Sequence, residues 1–401
     1  MSKIWYRPQA WLALIAGGVA LLLTAVFGLH LYMTTTATPL HPDPRGVPSR
    51  TQAAPSRQWA GAVERARQVV RAAVADRNLP GVSVAVGDGA DLVWAEGFGW
   101  ANLDDREPVT PATRFRIGTA STVLTSAAAG LLLEDGRLKL DEPIQTYVPE
   151  FPAKREPVTL RQLMSHLAGL GSDGGDEGPL FEQHCERPVD AFPAFADRAL
   201  LFPPGTRYRY SRYGWIAVSA AIEAAAKAPF LTFMRTHVFE PLGMQDTRAD
   251  AAEGAPARAT PYFPRYAAEP RYGPEPMRDL DLSCYAGSSV FVSTPSDLVR
   301  FGLAIDRGTL LKPATVDVLR APQRLASGQA TSYGLGWNLG TVPLAGKPAR
   351  MAGHDGDLLG GQVASLMTFP GRGLVVAVTS NTSYADTSGI ASEVAQAFAQ
   401  P

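Results

Sequence analysis

The sequence predicts an α+β fold of the α/β-sandwich kind, preceded by one transmembrane helix. An antiparallel sheet is built from both chain ends and flanked by helices, and a mostly helical subdomain is inserted between them. Three observations predict this. Short strand-like runs joined by Gly-rich turns occur near residues 82–95 and again near 363–379. The middle, roughly residues 119–310, is richer in helical patterns and in long Pro/Gly loops. Residues Ala10 to Met33 are apolar almost without interruption.

That apolar run, with Leu21, Leu22, Leu23, Val26 and Phe27 at its centre, exceeds the roughly 20 residues needed to cross a bilayer core as a helix. Lys3 and Arg7 precede it, so the N terminus is expected in the cytoplasm and the rest of the chain outside, periplasmic or extracellular. Trp5, Tyr6, Trp11 and Tyr32 lie near its ends, where amphipathic rings prefer the membrane interface. A cleaved signal peptide would have a shorter apolar core of about 7–15 residues, which favours an uncleaved anchor. Residues 1–33 are therefore read as cytoplasmic stub and anchor. Residues 34–58 contain Pro39, Pro42, Pro44, Pro48 and Pro55 without apolar periodicity, and are read as a linker. As a tether it would reach about 30–75 Å.

Residues 59–401 form the folded domain. Ala62, Val63, Ala66, Val69, Val70, Ala73 and Val74 recur at helical spacing, and Asn78-Leu79-Pro80-Gly81 breaks that helix. Val82 to Val86 and Leu92 to Ala95 follow as a hairpin around Gly87-Asp88-Gly89. At the far end, Val363 to Phe369 and Leu374 to Thr379 flank Pro370-Gly371-Arg372-Gly373, and a helix over Gly389 to Ala399 closes the chain. Between them, Phe115 to Gly136 ends in an almost wholly apolar helix stopped by Asp135-Gly136. Thr119 falls at its N-terminal end, where free amides and the helix dipole favour negative charge.

With 37 Lys and Arg against 38 Asp and Glu, the formal charge is −1 and no basic stripe appears, which argues against nucleic acid as a partner. Cys185 and Cys284 are the two cysteines, and in an exported chain they are expected to form a disulfide closing a loop of about 100 residues. Ser172 to Gly178 resembles a calcium loop loosely but lacks the ligand spacing, and reads as a solvated acidic loop. His354-Asp355 suggests a dyad, yet adjacent residues on an extended segment point to opposite faces.

Eight segments in order resemble one family. They are L-P-G-V-S-V-A-V (79–86), P-V-T-P-A-T-R-F-R-I-G (108–118), L-E-D-G-R-L-K-L-D-E-P-I (133–144) and L-R-Q-L-M-S-H-L-A-G-L (160–170). P-G-T-R-Y-R-Y-S-R-Y-G (204–214), F-E-P-L-G-M-Q-D-T (239–247), Y-G-L-G-W (333–337) and G-H-D-G (353–356) complete the set. Over residues 77–385 the chain is similar to the serine β-lactamase-like family, which includes class C β-lactamases, D-alanyl-D-alanine peptidases and related esterases. The resemblance implies acyl-transfer chemistry in which a Ser-x-x-Lys pair supplies nucleophile and base. Residues i and i+3 share a helix face, so the amine can touch the hydroxyl. It also implies an assisting Tyr, a His-x-Gly strand that carries the second oxyanion amide, and neither metal nor organic cofactor.

The sequence departs from that pattern at its centre. Thr119 stands where the serine belongs and Thr122 where the lysine belongs; Ser121 is turned off that face, and Leu124 follows it at i+3. Tyr210 matches the tyrosine, but Arg212 occupies the usual Asn position. His354 and Gly356 match the strand motif, and Asp357 falls at the oxyanion-amide position. Three readings follow. The chain is a pseudoenzyme, catalytically impaired, that keeps a cleft for peptide-like or cell-wall ligands, with Arg212 and His354 holding a carboxylate. Alternatively it is an active hydrolase using Thr119 as nucleophile and Tyr210 as proton acceptor. A structural or interaction domain with a vestigial cleft is the third reading.

Overall fold

The computed structural model describes residues 8–171, 178–250, 258–358 and 360–399. The Ser172–Gly178 acidic loop therefore lies almost wholly outside the described residues. Helix α1 (Pro8–Thr36) contains a stretch, Leu14–Thr36, long and apolar enough to cross a membrane, and it is exposed along nearly all its length except the last turn. Strand β1 (Ser49–Thr51) follows, then α2 (Ala60–Asp76), β2 (Gly81–Asp88) and β3 (Asp91–Asn102). The inserted region contributes α3 (Ser121–Glu134), α4 (Arg212–Ala226), α5 (Pro295–Asp306) and α6 (Pro313–Leu319). The chain returns through β4 (Asn338–Leu344), β5 (Lys347–Leu358), β6 (Gln362–Phe369) and β7 (Leu374–Ser380) to α7 (Thr387–Ala399).

The main sheet runs β1-β3-β2-β7-β6-β5-β4, every neighbour antiparallel, so strands from the two chain ends meet at β2 and β7. Both faces are covered. On one, Val82, Val84, Val86, Val376 and Val378 pack under α2 and α7 with Trp94 and Phe398. On the other, Ala85, Ala364, Leu366, Val375 and Ala377 meet the helical region. This explains why the central strands read as continuous apolar runs rather than alternating ones. Small residues on the second face let helices come close: a Cβ at Gly87 would lie 2.5 Å from Val299 of α5.

Helix α3 buries eleven of its fourteen residues and ends as its sequence predicts. Gly136 takes φ 67°, its N–H reaches the Leu133 carbonyl (3.0 Å), and the Arg137 N–H reaches Leu132 (2.9 Å). These two bonds are the Schellman pattern. Cys185 and Cys284 are joined, Cα–Cα 4.8 Å, tying the loop after α3 to the segment before Tyr285.

The linker expectation needs correction. Asn78, in a left-handed conformation, accepts the Leu40 N–H (2.7 Å) and donates to the Thr38 carbonyl (3.1 Å). His41 and Val47 are buried, and Ser49–Thr51 pairs with Glu96–Phe98. Prolines limit the conformations available to this segment in the unfolded chain, which lowers the cost of docking it. Much of residues 38–51 is thus a strap on the domain, and β1 is an edge strand that the composition concealed.

Candidate active site

Thr119 lies in a single 3₁₀ turn, Gly118–Ala120, that opens α3. The chain enters this turn from a short strand, Phe115–Arg116, paired with Phe291–Ser293. Arg116 is fully buried and clamps the entry: its guanidinium reaches Asp250 and Asp279 (2.5 Å each) and the Leu280 carbonyl (2.9 Å). A buried charge left unpaired is costly, so this network fixes the backbone just ahead of Thr119.

Strand β5 presses on the same turn. A Cβ at Gly356 would overlap the Ile117 carbonyl oxygen and lie 2.8 Å from the Ala120 nitrogen, so only glycine permits the approach. Strand β4 pairs with β5 through Gly353 and no further, whereas β6 accompanies it to Leu358. Beyond Gly353 the β4-side edge of β5 therefore faces the Thr119 turn instead of a strand. The Asp355 carbonyl on that edge accepts the Thr119 hydroxyl (3.1 Å). Backbone groups two residues apart in a strand point the same way, so the Asp357 N–H belongs to the same edge. Asp357 pairs in register with Val363; its side chain lies outside the described residues.

Thr119 and Thr122 share a helix face as their spacing predicts, but the Thr122 hydroxyl donates to the Thr119 carbonyl of its own helix. Thr122 is fully buried. Ser121 is buried on another side with an unpartnered hydroxyl among the described residues. Asp355 and His354 diverge, also as predicted: Asp355 accepts from Ser365 (2.7 Å), which contacts Thr387 at the start of α7.

His354 points to the other face and is buried. Its Nδ1 lies 2.7 Å from the Asp355 carbonyl, which can only accept, so Nδ1 carries the proton. Its Nε2 is then the bare nitrogen and accepts the Tyr333 hydroxyl at 2.9 Å. Burial lowers its pKa to about 4 against the opposing pull of the Asp355 carbonyl, so the ring is neutral at pH 7. With both ring nitrogens engaged inside the protein, His354 has no spare N–H to donate to the ligand carboxylate expected there.

Tyr210 is held by a second histidine. The Arg209 N–H reaches the His166 carbonyl (3.0 Å), and the Ser211 N–H reaches His166 Nδ1 (3.2 Å). Because Nδ1 accepts, the proton of neutral His166 is on Nε2, which has no hydrogen-bond partner among the described residues. Burial, reinforced by His354, lowers the His166 pKa to about 3. The ring faces Tyr210 at 4.2 Å, Tyr333 at 4.7 Å and Tyr208 at 5.8 Å; Tyr210 is 6.3 Å from His354. Burial also pushes Tyr333 well above the usual tyrosine range, and Tyr208 up to about 12. His166 and Tyr333 were not assigned a role from sequence, although both lie inside family-like segments.

Arg212 begins α4, and its guanidinium lies over the rings of Tyr285 (5.0 Å) and Phe181 (5.7 Å). Such stacking is favourable for a guanidinium. Among the described residues no three His, Cys, Asp or Glu side chains converge as a metal site.

The N-terminal turn of α3 thus faces the edge of β5, and His354 on that strand lies 6.3 Å from Tyr210. The beta-lactamase family model matches residues 66–400. The chain belongs to the beta-lactamase family. It is 26% identical over 285 residues to Penicillin-binding protein 4* of Bacillus subtilis, covering 68% of this chain and 62% of that one. It is 25% identical over 445 residues to the human mitochondrial Serine beta-lactamase-like protein LACTB, covering 86% and 81%. The fold matches the octameric penicillin-binding protein homologue from Pyrococcus abyssi with a TM-score of 0.69 at 24% identity, covering 82% and 75%. The hydrolase EstCE1 matches with a TM-score of 0.69 at 23% identity, covering 86% and 100%. These structural likenesses speak to the fold of this beta-lactamase-family chain, not to its activity.

Proposed function

We propose that this chain is a catalytically impaired member of the family that keeps its cleft as a binding site for peptide-like or cell-wall ligands. One observation carries the reading: the Thr119 hydroxyl donates to the Asp355 carbonyl, while Thr122, at the base position, donates to its own helix backbone. A carbonyl oxygen is far too weak a base to take the proton of an attacking hydroxyl, and both nearby histidines are neutral with depressed pKa values. Nucleophilic catalysis needs an adjacent base, and among the described residues neither the Asp355 carbonyl nor the two histidines of depressed pKa suits that role.

The ligand class follows from what remains. A peptide-like ligand would lie along the β4-side edge of β5 beyond Gly353, displacing the Thr119 hydroxyl from the Asp355 carbonyl so that main-chain bonds give affinity. The turn amides at Thr119 and the Asp357 N–H suit a carbonyl or carboxylate oxygen there. An N-terminal span placing the domain outside the cytoplasm would bring the cleft to wall-facing ligands. The test uses the full chain in nanodiscs and a fluorescent penicillin. Wild type should stay unlabelled, and Thr119→Ser with Thr122→Lys should gain covalent label. Wild-type labelling that disappears in Thr119→Ala would instead establish an active acyl-enzyme.

A further inference from the structure

The last turn of α1 touches the domain directly. The Thr36 carbonyl accepts Arg265 Nη1 (3.2 Å), and the Tyr32 ring meets Tyr266 edge-on at 6.2 Å between centroids. Two residues later Asn78 takes hold of Thr38, and the docked strap begins. No free spacer separates the apolar stretch from the first docked residue. The 23 residues of Leu14–Thr36 make a helix of about 35 Å, against a hydrocarbon core of about 30 Å, so Tyr32–Thr36 falls at a membrane interface.

Residues 265–272 lie at that level. They present Arg265, Tyr266, exposed Ala267 and Ala268, exposed Arg271 and half-buried Tyr272. Tyrosine rings and arginine guanidinia are suited to the headgroup zone, the former by their apolar body and polar tip, the latter by their phosphate-matched donors. Ala267 and Ala268 both adopt left-handed φ, 55° and 54°, forming a tight tip without bulky side chains. Arg271 is beside Glu269 (3.0 Å) and Arg265 beside Glu275 (3.7 Å), so the patch is close to neutral. A near-neutral patch fits a zwitterionic headgroup layer and does not call for a strongly anionic one.

We propose that segment 265–272 is a lipid-docking surface that seats the domain on the phospholipid headgroup layer beside the span, in a fixed orientation and not on a tether. The proposal rests on reading α1 as a membrane span. Because the two native cysteines are bridged, Ala268→Cys provides a single thiol for an environment-sensitive dye in the full chain. In phosphatidylcholine proteoliposomes its emission should shift to the blue and fall about twofold with headgroup-proximal doxyl lipid, while a soluble quencher has little access. Replacing part of the lipid with phosphatidylglycerol should change this little. Strong quenching from the aqueous side with no doxyl effect, in protein that still floats with vesicles after alkaline washing, would overturn the seating alone. Loss of flotation would overturn the span and the seating together.

Discussion

Acidification should destabilise the domain through two buried imidazoles, and the amount can be worked from the site. His354 and His166 stay neutral in the fold down to about 4 and about 3, whereas in the unfolded chain each binds a proton below about 6.5. Between these values the unfolded state holds more protons, so stability is full above pH 6.5 and falls as the pH drops. At about 1.4 kcal/mol per pH unit, His354 alone should cost the fold about 3 kcal/mol by pH 4, and His166 a comparable amount. Urea unfolding of residues 37–401 at steps between pH 7.5 and 4 measures the slope. His354→Gln retains an acceptor for Tyr333 and does not titrate, so its stability should fall less steeply than that of wild type. Parallel slopes for the two proteins would show that His354 is not held neutral and would remove the electrostatic basis of the proposed inactivity.

Other substitutions probe the scaffold around the site. Gly356→Ala should cost at least about 1–3 kcal/mol in thermal unfolding, since a methyl there overlaps the Ile117 carbonyl and must push β5 off the Thr119 turn. Cys284→Ser opens a loop of 99 residues and should cost about 2–5 kcal/mol in urea unfolding under oxidising conditions. Asn78→Ala removes both bonds to the strap and should speed tryptic cleavage at Arg45 and Arg50 without unfolding the domain.

Local features were legible in the sequence wherever local physics decides them. The hairpin turns, α2, α7 and the Asp135-Gly136 stop all follow from periodicity and turn chemistry; three of the four strands fell within two residues of their observed limits, while β3 runs seven residues past Ala95 to Asn102. The one-turn spacing of Thr119 and Thr122 was readable from helix geometry, whereas the donation of Thr122 to the helix backbone and of Thr119 to Asp355 was not. The strap was not readable, because a Pro-rich, polar stretch gives no sign that Asn78 and β3 will bind it. Nor was the pairing of His166 with Tyr210 or of Tyr333 with His354, which brings together segments distant in sequence. The histidine in S-H-L-A-G-L and the tyrosine in Y-G-L-G-W were the available signals, and only the fold shows that they meet. The charge of His354 was likewise set by burial, which composition around residue 354 does not reveal.

The central claim is that the chain retains the family's cleft and lacks its chemistry. Turnover of a chromogenic β-lactam and a nitrophenyl ester by full-length wild type, measured beside Thr119→Ala, tests it most directly. The account predicts wild-type rates within about tenfold of Thr119→Ala, because a nucleophile without its base contributes little. Turnover several orders of magnitude above Thr119→Ala would contradict it and make Thr119 a working nucleophile.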